Sequence, residues 1–123
     1  MKKPTATSDA PSAFDVVVVP FPYSDRLAEK RRPALVLSAS SMAADYGLVW
    51  LAMITSASNP RWDCDVEIGN LDAAGLPAPS LVRPVKIATV DAGRIVRRIG
   101  RLGGADAGTV KMKLRTLIEA WRP

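Results

Sequence analysis

Residues 80–102, SLVRPVKIATVDAGRIVRRIGRL, read as two β-strands in direct succession, and everything else in the chain can be arranged around them. Apolar and β-branched side chains fill 80–90 and return through 94–102, while Gly93 and the Gly103-Gly104 pair mark the ends. Pro84 has no N–H to give to a ladder, so its part of the first strand belongs at an edge or a bulge. Upstream, 16–21 is a β-branched apolar strand whose end is set by Pro20 and Pro22. Residues 33–38 (PALVLS) form a second strand, and 48–54 (LVWLAMI) are uniformly apolar, as in a strand covered on both faces. In 62–68 the alternation sets Trp62, Cys64, Val66 and Ile68 on one face and Asp63, Asp65 and Glu67 on the other, the period of a half-buried strand. The segments between are a charged loop (22–31), a turn or single short helical turn (39–47), a loop (55–61) and a Gly/Pro-rich connection (70–79). Downstream, Val110, Leu114, Leu117, Ile118 and Trp121 recur at helical spacing, with Asp106 as the expected N-cap. Five or six strands and a final helix predict a mainly β fold: a partly closed β-barrel or strongly curved antiparallel sheet with a C-terminal α-helix packed on it.

The chain has 123 residues, one domain's worth. Residues 1–13, rich in Pro, Ser, Thr and Ala, read as a flexible N-terminal tail, and 14–123 as the folded domain. The single cysteine, Cys64, permits no intrachain disulfide and no thiolate-rich zinc site. Histidine is absent, which removes Ser-His-Asp and Cys-His nucleophilic arrangements and histidine-based metal sites. No apolar signal region follows Lys2 and Lys3, and the longest apolar runs are too short to cross a bilayer, so a cytoplasmic protein without a membrane partner is expected. Gly103-Gly104 lacks the Lys-Ser/Thr of a phosphate loop, and no cofactor is expected. The net charge is +5, concentrated at the C-terminal end, where residues 91–123 carry 8 basic and 3 acidic side chains. That balance suits a polyanionic partner, or simply a well-solvated basic surface.

Four basic or hydroxyl-bearing clusters could carry chemistry. Lys30, Arg31 and Arg32 crowd three cations before Pro33, and an arginine fork can hold a phosphate in two-pronged fashion; a solvated surface run is the plainer reading. Thr55 and Ser56 follow a buried strand, where site residues are common, although local turn hydrogen bonds explain them equally simply. Arg83 and Lys86 differ by an odd number and share a face only if a bulge intervenes. Arg94, Arg97, Arg98 and Arg101 make an arginine-dense strand that could follow a nucleic-acid backbone or face water. Asp63, Asp65 and Glu67 are spaced too widely along a strand to share one ion, so they are expected to form a solubilising face. Cys64 is expected to be a buried, inert thiol, and Trp50, Trp62 and Trp121 to pack in the core or an interface.

Taken together, DVVVVPFPYSD, RPALVLS, the strand ending ITS, AGLPAPSLVRPVKIATVD and IVRRIGRL closely resemble the MazF/PemK family, the toxins of type II toxin–antitoxin pairs, over residues 14–122. The resemblance implies an SH3-like, MazF/CcdB-like homodimer that cleaves single-stranded RNA, usually messenger RNA, at short sequences without a metal. It also implies a cognate antitoxin as partner and operator DNA reached through the antitoxin complex. By the same likeness, Arg32 and Thr55 are the catalytic arginine and threonine. Tyr23, Arg26, Lys30 and Arg31 of the first loop, with Ser56, Arg83 and Lys86, are the implied RNA-binding residues. The chain departs from the family at Phe14, where members usually have glycine, and at Val85, where one branch uses a catalytic aspartate. The alternative is a non-enzymatic growth inhibitor that binds DNA gyrase or DNA, as CcdB does; the intact RP and ITS pair argues against it.

Overall fold

The computed structural model of the chain describes residues 10–20 and 30–119. Its elements are β1 (Asp15–Pro20), β2 (Arg31–Val36), α1 (Ser40–Tyr46), β3 (Leu48–Ser56), β4 (Val66–Glu67), α2 (Leu71–Ala74), β5 (Ser80–Asp91), β6 (Arg97–Arg101) and α3 (Gly104–Glu119). The strands form one curled antiparallel sheet in the order β4-β5-β3-β2-β1-β6. The mainly β architecture with a C-terminal helix is therefore the one expected from the strand pattern.

Alternation divides the apolar residues between the two faces. Val16, Leu35, Ala52, Ile54 and Val82 lie in a core completed by Ala74 of α2, Leu102 and Val110 of α3. Val17, Val19, Ala34, Val36, Leu51 and Val90 form a second core on the opposite face, with Ala43 of α1 and Ile95 packed against it. Two register shifts help the sheet curl. On β5, Ala52 of β3 faces Ile87 but Met53 faces Arg83, so Pro84, Val85 and Lys86 have no β3 partner. The N–H that Pro84 lacks is thus not needed at that point.

The ends of several elements differ from expectation. Residues 62–68 do not alternate as a strand: only Val66 and Glu67 pair, and the Asp65 N–H turns back to the Trp62 carbonyl at 3.0 Å. Asp65 is buried while Asp63 and Glu67 are exposed, so the three carboxylates do not share a face. Strand β3 runs on to Ser56, carrying Thr55 and Ser56 inside the sheet rather than in the following loop. Residues 40–46 form a seven-residue helix, and the 70–79 connection contains α2, capped by the Asn70 side chain accepting from the Ala73 N–H at 3.1 Å. Asp106 does not cap α3; it lies within the first turn, and its carboxylate accepts the Gly69 and Asn70 N–H groups at 3.0 Å. It therefore ties the entry to α2 onto α3. On α3, Val110 is buried and Leu114 half-buried, but Leu117 is exposed and Ile118 is 69% exposed, so the second half of the apolar stripe leaves this chain's own core. Trp121 lies outside the described residues.

Two backbone constraints need particular residues. A Cβ on Gly75 would overlap the Ile99 carbonyl, and one on Gly100 would overlap the Ala74 backbone, so α2 and β6 touch through glycine on both sides. Phe14, just before β1, has φ +74, the left-handed region that favours glycine.

Candidate functional site

Strands β2 and β3 pair at Ala34↔Met53, Leu35↔Ala52 and Val36↔Leu51. Beyond Ala34 and Met53 both strands continue, but with other partners: β2 with β1 as far as Pro20↔Arg31, and β3 with β5 as far as Ser56↔Ser80. The sheet therefore opens between β2 and β3 at this end, where Pro33 has no N–H to offer. Carried two residues further, the β2–β3 register sets Arg32 across the gap from Thr55. Alternation puts both on the face of Ala34 and Met53.

Each side of the gap is supported differently. Arg32 is exposed, held to the sheet through its pairing with Val19. Lys30 and Arg31 are exposed beside it. Thr55 is half-buried, and its Oγ1 accepts a hydrogen bond from Asn59 Nδ2 at 2.7 Å. That bond leaves the Thr55 O–H free in direction to donate outward. Ser56 Oγ meets Ser58 Oγ at 2.8 Å and accepts the Ser58 N–H at 3.1 Å, so Ser56 serves the turn after β3. The Asn59 contact with Thr55 was not legible, since an asparagine in a loop ordinarily signals only a turn.

Arg83 also faces this side, opposite Met53. It is only 8% exposed. Its Nε donates to Asp65 Oδ1 at 3.0 Å, and its Nη2 donates to Asp65 Oδ2 at 2.8 Å and to the Pro60 carbonyl at 2.9 Å. The Trp62 ring lies over the guanidinium, 3.8 Å from its Cζ to the ring centroid. Asp65 Oδ2 also accepts the Trp62 N–H at 2.8 Å. Burial pushes the Asp65 carboxyl up, but the bonds from Arg83 and Trp62 and the charges of Arg83 and Arg61 outweigh it and hold the group below the usual carboxylate range. The hydrogen bonds with Asp65 push Arg83 higher still, against the desolvation that opposes its charge. The pair ties Pro60, Trp62 and Asp65 to β5, while Asn59 is held separately, by Thr55 and the Ser56 carbonyl.

The other sequence candidates fall as follows. The β5 bulge is the condition under which Arg83 and Lys86 share a face, and Lys86 is half-buried with interactions of its own. Tyr23 and Arg26 lie outside the described residues. On β6, Arg98 and Arg101 reach the buried Asp15 carboxylate at 3.4 and 3.0 Å, so part of the arginine-dense strand is tied down internally. Cys64 is half-buried rather than sealed in the core. Trp50 and Trp62 are both exposed beyond what core packing predicts. Among the described residues, no helix is long and apolar enough to cross a membrane.

The sequence profile of the PemK-like, MazF-like toxins of type II toxin–antitoxin systems matches residues 12–118. The chain belongs to that family. Solved structures of similar fold surround this MazF-like toxin. A MazF of Deinococcus radiodurans is 23% identical over 89% of this chain and 96% of its own, with a TM-score of 0.71. The Mycobacterium tuberculosis toxin MazF-mt6 is 19% identical over 85% of this chain and 96% of its own, with a TM-score of 0.69. An endoribonuclease from Mycobacterial species, solved in complex with its cognate antitoxin, is 18% identical over 89% of this chain and 94% of its own, with a TM-score of 0.69. At these identities the likeness speaks to the fold alone. No curated protein sequence matches the toxin.

Proposed function

We propose that this toxin is a sequence-specific endoribonuclease that cuts single-stranded RNA without a metal, with Arg32 and Thr55 as its catalytic pair. The observation that supports it best is the end of the β2–β3 ladder at Ala34↔Met53, beyond which the exposed Arg32 and the half-buried Thr55, its Oγ1 bonded by Asn59, lie on the two parted strands. RNA brings its own nucleophile, so a protein without histidine can still catalyse this reaction. The 2′-oxygen attacks the adjacent phosphorus and loses its proton to solvent. The bond from phosphorus to the 5′ oxygen breaks, and that oxygen takes up a proton, leaving a 2′,3′-cyclic phosphate and a 5′-hydroxyl. The protein holds the splayed strand in line and stabilises the charge gathered on the phosphorane.

Arg32 suits the second task, because its planar fork stays charged and can meet two phosphate oxygens at once. It is a poor base, with a pKa above about 12. Thr55, steadied by Asn59, donates to a non-bridging oxygen. Lys30, Arg31, Ser56 and Lys86, with Tyr23 and Arg26, contribute to holding the strand, while Arg83 acts from behind as a positioning residue. The partners in this reading are messenger RNA, a cognate antitoxin with operator DNA reached through it, and a second copy of the chain. The exposed Leu117 and Ile118 of α3 support the last.

The test is cleavage of a long single-stranded RNA in excess EDTA, with both new ends mapped chemically. Cyclic phosphate and 5′-hydroxyl ends at a short recurring sequence are expected. Cleavage that stops in chelator, or that leaves 5′-phosphate ends, contradicts the mechanism.

A further inference from the structure

Trp62 is an aromatic ring left partly facing water. One face rests on Arg83. Its backbone N–H is fixed by Asp65, and the guanidinium beneath it is clamped by the Asp65 carboxylate and the Pro60 carbonyl. Yet the residue remains 43% exposed. Burying an indole is favourable, and one held at the surface against a clamped guanidinium suits a flat partner on its open side. Arg83 pairs with Met53, two residues along β3 from Thr55 and on the same face. The loop that carries Trp62 also carries Asn59, which bonds Thr55. The ring is thus tied through Arg83 and through its own loop to the residues that flank the gap.

We infer that the outer face of Trp62 is a stacking platform for one nucleobase of the bound RNA, with Arg83 and Asp65 holding the ring ready. This rests on the nuclease reading above and adds a base-binding residue to it. A nucleobase fits better than a peptide side chain for two reasons. The neighbouring exposed Arg61, 3.7 Å from Glu67 and with its Nη2 3.5 Å from the Asp65 carbonyl, offers a cation next in the chain for the backbone of the same nucleotide. A preordered ring also gains most from a planar π-face, which every base supplies. The entropy of fixing the ring has already been met in the free protein.

Once wild-type protein has been used to map a cleavage site, an oligonucleotide spanning it, with a 2′-deoxy sugar at the scissile nucleotide, gives a ligand that binds without being cut. Trp62→Ala is expected to weaken its binding roughly ten- to hundredfold. KM for the cleavable RNA should rise in step, with kcat within a few-fold of wild type. Trp62→Leu keeps apolar bulk over Arg83 and should lose as much affinity; Trp62→Phe keeps a π-face and should retain most of it. Abasic substitutions walked along the oligonucleotide should reveal one position whose loss weakens wild type but costs Trp62→Leu nothing further. Unchanged affinity and KM in Trp62→Leu, or abasic penalties that simply add to the substitution at every position, overturn the platform while leaving the nuclease reading intact. That holds equally if the same substitution weakens binding of an antitoxin instead. A wild type that neither cuts nor binds RNA overturns both.

Discussion

Arg32 stands exposed beside the gap between β2 and β3, whereas Arg83, on the same face of the sheet, is 8% exposed and engaged by Asp65, Pro60 and Trp62. Both are arginines in β-strands next to a proline, and nothing in their own side chains distinguishes them. Their surroundings do. Arg32 lies where a ladder has ended and its charge can be directed at an incoming phosphate. Arg83 lies where β4 and its loop close over β5, so its charge needs a buried counter-ion and becomes part of the framework. An exposed cation can act on a ligand; a buried, saturated one acts through what it holds in place.

The largest effect should come from splitting the buried pair. Arg83→Met leaves the Asp65 carboxylate without its partner and should cost about 3–5 kcal/mol of stability, measured by denaturant unfolding. Adding Asp65→Leu should recover most of that loss, since a well-packed apolar pair avoids desolvating two charges. If the single variant is as stable as wild type, the contrast between the two arginines collapses. Next, Thr55→Val should lower the cleavage rate on the order of 10²–10³-fold with the melting temperature little changed, as for loss of one donor to a developing oxyanion. Asn59→Ala should cost less, because it only orients that donor.

The buried carboxylate also predicts a pH dependence. The folded-state pKa of Asp65 is lowered, so the pair's contribution is present above the unfolded value of about 4 and is lost as pH falls through the folded value. The stability gap between wild type and Asp65→Asn should therefore be widest near neutrality and narrow in unfolding experiments taken to about pH 3. The smallest effect concerns Phe14, whose φ of +74 is strained for a side-chain-bearing residue. Phe14→Gly should be about 1 kcal/mol more stable than Phe14→Ala, since both lose the aromatic packing and only glycine relieves the backbone.

The succession of strands and the final helix were legible because β-branched apolar runs bounded by Pro and Gly, and apolar residues at helical spacing, are local signals. Arg32 beside Pro33 was legible as an exposed cation, and its role only as what the family resemblance implies. The gap that joins it to Thr55 was not, because the end of a ladder is a property of register between segments far apart in sequence. The Asp65–Arg83 pair was hidden for a related reason: an alternating 62–68 segment suggested that Asp65 faced water with Asp63 and Glu67. One signal pointed the other way. A cation between Val82 and Pro84 in an apolar strand needs a counter-charge, and Asp65 was among the few acids in the middle of the chain to supply it. Of the two short helices, α1 was foreseen only as a turn or a single helical turn and α2 not at all, because seven and four residues carry too little periodicity to define a helix.

The most direct test is to measure Arg32→Ala for RNA cleavage in EDTA and for thermal unfolding on the same preparation. The expected result is a protein that melts as wild type does and has lost cleavage on the order of 10²-fold or more. Cleavage at the wild-type rate by that folded variant would contradict the assignment of Arg32 as the charge that stabilises the phosphorane.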